Sequence, residues 1–255
     1  MEEVAPDPVT QIVESSIERH GGPLFESSRI GFTFRGARFE VERVGGRFRH
    51  SRRYADSHGR SVVEVMDNDG TRKEVDGAAV PLGPDERAAT ELAVNSVVYF
   101  AFLPFRLGDP AVRLRSLGAA EVHGAPYEKV EVTFHREGGG VDWDDRFVYW
   151  IHADDHTLDY LAHRYHRDGG GIRFRRAVNR RENGGLLVQD YENYRPVGEV
   201  ADIADLDRRF EAGDLELLSL IELEEVEVAP IAPRGGNAEA SLDSTDARLR
   251  DMLLG

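Results

Sequence analysis

The chain has 255 residues and no cysteine, a length that holds one large domain or two small ones with a sizeable core. The missing cysteine excludes disulfides, thiolate metal sites, a cysteine nucleophile and a lipid-bearing cysteine. A formal net charge of -15, from 47 acids against 32 bases, argues against a nucleic-acid backbone or an anionic lipid surface as the main partner. No apolar run approaches the roughly 18–20 residues of a membrane-crossing helix. Only Lys73 and Lys129 are lysine, which leaves 30 arginines among the 32 bases. A GC-rich genome and a salt-adapted cell both fit that balance. The acid is uneven: residues 201–255 hold 14 acids and 5 bases.

Asp7-Pro8 reads as an N-cap followed by proline in the first turn. Val9, Ile12, Val13 and Ile17 then fall at helical spacing, and Gly21-Gly22 stops the helix after His20. From Arg29 to Val80 the period is two, with turn signals at Gly36, Gly45-Gly46, Asp56–Gly59 and Asp67–Gly70. Short strands at about ten-residue intervals predict an antiparallel meander. Gly83-Pro84-Asp85-Glu86 opens a second helix, which runs to about Phe102 and is closed by Pro104. Its second half is apolar nearly all round, the mark of a buried helix.

Six further strands are expected between 112 and 195: Val112–Leu117, Tyr127–His135, Trp143–His152, Leu158–Arg167, Ile172–Val178 and Leu186–Tyr194. Asp202–Ala212 reads as one short helix and Leu215–Val228 as a last strand. Residues 1–231 are expected to form a single domain, with 232–255 a flexible acidic C-terminal tail carrying one helical turn at Asp246–Leu254. The sum is an α+β fold. About 10–11 antiparallel strands curl strongly into a half-barrel. An N-terminal amphipathic helix accompanies a buried apolar helix in the concave face.

Alternation puts Trp143, Asp145, Phe147, Tyr149 and Ile151 on one strand face and Asp144, Arg146, Val148, Trp150 and His152 on the other. Both faces carry aromatics, so both are expected to be covered, one by the buried helix and one by the terminal helix or the tail. Such a lining either takes an apolar ligand or simply fills the core. His163 and His166 point to opposite faces, no HExxH is present, and no metal or cofactor is expected. If the hairpin turns at Asp154-Asp155, Asp145 falls near Arg164. Asp144, Asp145, Asp159, Arg146, Arg164 and Arg167 then read as cross-strand ion pairs or as an acid/base set. Arg173, Arg175, Arg176, Arg180 and Arg181 form the one basic patch. It suits an anionic headgroup or, by preference, pairing with the acidic segment 201–228. The runs Gly138–Gly140 and Gly169–Gly171 sit between strands, so they are hairpin turns rather than phosphate loops.

The order of several short stretches resembles the lipoprotein-carrier superfamily with the LolA/LolB-like fold, and within it an uncharacterised family of exported bacterial proteins. The stretches are His20-Gly21-Gly22, Phe102-Leu103-Pro104-Phe105, Tyr127–Phe134, Tyr149-Trp150-Ile151 before an Asp-rich turn, and Tyr191-Glu192-Asn193-Tyr194, spanning residues 7–200. The resemblance implies a lipid or acyl chain held between the concave sheet and the second helix, and an envelope protein as a further partner. It also implies the periplasm or outer membrane once a signal is removed; the sequence taken as complete implies the cytoplasm. The expected ligand-binding residues are Phe100, Phe102, Leu103, Phe105, Phe147 and Tyr149. The alternatives are a hydrolase or isomerase on the 143–167 hairpin, and a structural or interaction module with a filled barrel.

Overall fold

The computed structural model describes residues 7–135, 145–166 and 169–231. Helix α1 (Pro8–Arg19) is followed by a 3-10 turn and six strands: β1 (Ser28–Phe34), β2 (Ala37–Val44), β3 (Arg47–Ala55), β4 (Ser61–Asp67), β5 (Gly70–Val75) and β6 (Ala78–Val80). Helix α2 (Pro84–Ala101) leads through a second 3-10 turn (Phe105–Gly108) into β7 (Val112–Val122), β8 (Ala125–Phe134), β9 (Arg146–His152), β10 (Leu158–Tyr165), β11 (Gly171–Asn183) and β12 (Leu186–Pro196). Helix α3 (Leu206–Glu211), β13 (Leu215–Ile221) and β14 (Glu224–Pro230) close the described chain.

The strands form two antiparallel seven-stranded ladders, β14-β1-β2-β3-β4-β5-β6 and β13-β12-β11-β10-β9-β8-β7, which together make an open half-barrel with helices in its hollow. The described residues form fourteen strands rather than ten or eleven, in part because β6 is only three residues long and Leu215–Val228 is two strands. The chain passes from one ladder to the other at Glu222-Leu223. Leu223 N–H donates to Asp190 (2.9 Å), and Arg181 donates to the Leu223 carbonyl and pairs with Asp190 at 3.1 Å. This clamp breaks the strand, and periodicity alone does not reveal it.

Proline in the first turn starts α1, and Val9, Val13 and Ser16 form its buried stripe. The stripe packs with Leu103, Leu107, Val130, Val132, Phe147, Tyr149 and Leu161 over the second ladder. The chain leaves α1 through Gly21 at φ 110, where a Cβ would lie 2.6 Å from Leu186 and 2.9 Å from the Gly185 carbonyl. Leu187 N–H donates to the His20 carbonyl beside it, so the helix end is stitched to the β11–β12 hairpin. A second core cluster joins the first ladder (Ile30, Phe32, Phe39, Val41) to Val98 of α2, to Phe102 just after it, and to Leu186 and Val188 of β12.

The two faces of β9 are both covered: the buried helix lies on one as expected, joined there by α1, while the other is covered by neither the terminal helix nor the described chain's end but by the segment around α3. Phe147, Tyr149 and Ile151 lie under α1 and the end of α2 together. Val148 and Trp150 lie on the opposite face under Ile203 and Leu206. The segment expected as one helix over Asp202–Ala212 is a 3-10 turn (Ile203–Asp205) running into α3. It is fastened by a buried ion pair, Lys129 to Asp207 at 2.9 Å, with the Trp150 indole N–H donating to the same carboxylate at 3.0 Å. Trp143, Asp144, Arg167, Gly138–Gly140 and the tail from 232 onward lie outside the described residues.

Candidate ligand-binding pocket

Helix α2 lies across the hollow and spans both ladders. Glu86 caps its N-terminus by accepting from Gly83 N–H (3.1 Å). Its first half is held to β5 by polar contacts, Thr71 to Glu91 (2.5 Å) and Arg87 to the Thr71 carbonyl (3.0 Å). Its second half is held by rings: the Tyr99 and Tyr149 hydroxyls meet at 3.3 Å, and Phe100 stands 6.3 Å from Phe147 and 5.3 Å from His163. Only Thr90, Val94 and Val98 are fully buried on the helix. Its other apolar positions in the second half stay partly exposed, and of these Val97, Phe100 and Ala101 border open space on one side.

That space is a half-open pocket of about 250 Å³ at the seam between the ladders. Ser96, Val97, Phe100 and Ala101 of α2 form one wall. Arg175 of β11 and Gln189, Tyr191 and Asn193 of β12 form the opposite wall, with Phe34, Arg35, Ile221 and Leu223 at the rim and ends. The volume lies just below the roughly 300–1,000 Å³ of pockets for drug-sized ligands. Gln189 is fixed by donating to the Leu158 carbonyl (2.8 Å) and the Tyr191 hydroxyl (2.7 Å). Burial pushes the Tyr149 hydroxyl well up and that of Tyr99 up to about 12, so both are neutral at physiological pH. Burial pulls Arg175 down to about 10, which leaves it charged there.

Of the six residues expected to bind ligand, Phe100 lines this pocket. Phe147 and Tyr149 sit in the core layer beneath it, and Leu103 packs in the same cluster against α1. Phe102 packs edge-on to Phe25 and Phe32, and Phe105 stacks on Phe25 at 4.6 Å. Sequence reasoning missed Gln189 and Asn193, although alternation with Leu187 and Tyr191 along β12 puts all four on one face.

Among the described residues the charged hairpin does not gather. The register pairs Arg164 with Arg146, not with Asp145. Asp145 lies 3.4 Å from His166 instead. Arg146 bridges Glu131 and Asp202, Arg164 donates to the Val200 carbonyl, and Asp159 accepts from Tyr127 and Thr157. Among the described residues no three His, Asp or Glu side chains converge as a metal site would require. The preferred pairing of the arginine patch with segment 201–228 is also not what forms. Arg176 pairs with Glu192, Arg180 with Asp159 and Arg181 with Asp190, because those acids stand on neighbouring strands.

The architecture is shared with solved structures of other proteins. A DUF1329 family protein from Desulfovibrio piger is similar with a TM-score of 0.51 at 11% identity, over 94% of this chain and 99% of that one. A LolA superfamily protein from Nitrosomonas europaea is similar with a TM-score of 0.48 at 9% identity, over 89% of this chain and 96% of that one. A putative outer membrane lipoprotein-sorting protein domain from Vibrio parahaemolyticus is similar with a TM-score of 0.42 at 8% identity, over 95% and 97%. The model of the family of unknown function DUF6503 matches residues 40–223, and the chain belongs to that family. No curated protein matches the sequence.

Proposed function

We propose that this protein is a non-enzymatic carrier that shelters an apolar ligand, a lipid or acyl chain, between α2 and the concave wall of the half-barrel. The single observation that carries this reading is the half-open pocket of about 250 Å³, walled on one side by the partly exposed apolar face of α2. Phe100 touches the guest directly. Phe102, Leu103, Phe105, Phe147 and Tyr149 form the layer behind it, which opens to a longer chain when α2 swings outward. The bacterial envelope as its place of work follows the family resemblance carried by residues 7–200.

Burial of methylene groups drives the binding, at about 0.8 kcal/mol each. Affinity therefore rises about fourfold per added CH₂ until the chain outgrows the hollow. Titration calorimetry with a graded series of alkyl amphiphiles checks this, alongside native mass spectrometry for a one-to-one adduct. Uptake of no member of the series, or affinity independent of chain length, contradicts the reading.

A further inference from the structure

Arg175 is a pocket-lining cation whose chemistry the described residues leave unmet. Its Nε is buried and has no hydrogen-bond partner among the described residues. The charges of Arg173 and Arg35 repel it, and the Tyr191 and Tyr149 hydroxyls lie near it. The adjacent arginines differ: Arg173 donates to the Ile172 carbonyl at 2.8 Å, and Arg176, Arg180 and Arg181 each pair with a carboxylate. Phe100 covers the Arg175 guanidinium at 4.1 Å. A ring face steadies a cation but does not replace in-plane acceptors for its five N–H groups. The residue as a whole is partly buried, and a cation drawn even partly out of water without a counter-charge is less favourable than one that has a partner.

A second buried polar atom without a partner, the Asn193 carbonyl oxygen, lies in the same wall. Its amide nitrogen meets Ser219 Oγ at 3.3 Å. The serine hydroxyl serves equally well as donor, so the amide can rotate and turn its NH₂ into the pocket without losing that contact.

We propose that the pocket takes an anionic amphiphile, a single apolar chain headed by a carboxylate or phosphate oxyanion, with the oxyanion seated on the Arg175 guanidinium and the chain against Val97, Ala101, Ile221 and Leu223. The proposal rests on the carrier reading above and narrows it. The fork of a guanidinium matches either oxyanion with two parallel bonds. A neutral ester, alcohol or wax of the same length leaves Arg175 as it stands.

The test compares dodecanoic acid, dodecyl phosphate and dodecanol by titration calorimetry on the full chain, with acetate and inorganic phosphate as chainless arms. The variants are Arg175→Met, Arg175→Lys and Arg176→Met. Wild type is expected to bind the acid, the alkyl phosphate or both about tenfold to hundredfold tighter than the alcohol; which of the two wins identifies the headgroup. Arg175→Met loses that preference while keeping its affinity for the alcohol. Arg175→Lys keeps part of it, and Arg176→Met, changed on the outer face, keeps all of it. Equal affinity for the anionic chains and the alcohol in wild type overturns the proposal and leaves the carrier reading standing. So does an undiminished preference in Arg175→Met. Binding of acetate or phosphate as tight as that of the chains overturns it too, and uptake of nothing removes both ideas. Should Arg175→Met fail to fold, the wild-type comparison and Arg175→Lys decide.

Discussion

Three histidines lie buried in this protein with little to receive a proton. Burial, with Arg180 nearby, pushes His20 down to about 4, and burial, with Arg43 and Arg106 nearby, pushes His50 down to about 3. Burial and the charges of Arg175 and Arg173 push His163 well down. In the unfolded chain each returns to about 6.5. Below that pH the unfolded chain takes up protons that the folded chain refuses. The stability is therefore complete above about pH 6.5 and drains away as pH falls toward 4. The slope is about 1.4 kcal/mol per pH unit for each histidine. Urea unfolding at steps from pH 7 to pH 4.5 checks this, and His50→Leu is expected to remove its share of the slope; a flat profile refutes it. On the outer face, Asp207→Ala strands Lys129 and Trp150 without their shared acceptor and is expected to cost about 3–5 kcal/mol, read from the same denaturation. At this scale the sequence was informative about residue types and silent about partners. Alternation along β11 puts Arg173 and Arg175 on one strand face. Which arginine would lack an acid depended on the register of β11 against β10 and β12, which no local pattern encodes.

Among the elements, α2 and its surroundings explain both what was legible and what was not. Its start at Gly83-Pro84, its stop before Pro104 and its place in the hollow all followed from local chemistry. Its exposure did not. An apolar stretch in a helix reads as core whether its neighbours are side chains or empty space, and here the space is the pocket. The split of Leu215–Val228 was hidden for a related reason. Leu217, Leu218 and Leu220 are 54%, 39% and 44% exposed on the edge strand β13, so hydrophobicity there does not mark a buried face. The turns at Gly36, Gly45-Gly46 and Asp67–Gly70 were readable because their backbone demands left-handed residues, and each has one. Gly21 belongs with them and adds a close approach. Gly21→Ala places a methyl against the Gly185 carbonyl in a backbone conformation that alanine resists. It is expected to destabilise by about 1–3 kcal/mol, seen as a lower denaturation midpoint with an unchanged slope. An unshifted midpoint would show that α1 is not stitched to the β11–β12 hairpin as described.

Among the described residues the chain passes between the two seven-stranded ladders through α2 and again at the clamped Glu222-Leu223 crossing, and α2 lies over the seam. The arrangement leaves a gap where α2 passes from a polar footing on the first ladder to an aromatic footing on the second. A closed barrel or a filled sandwich has no such place. Whether the gap works as a binding site is decided by blocking it. Val97→Trp sets a large side chain from the α2 wall into the opening while leaving the Thr90–Val94–Val98 stripe in place. Native mass spectrometry after incubation with dodecanoic acid is the measurement. The account predicts a one-to-one adduct on the wild-type chain and none on folded Val97→Trp; equal adducts on both, or none on the wild type, would contradict it.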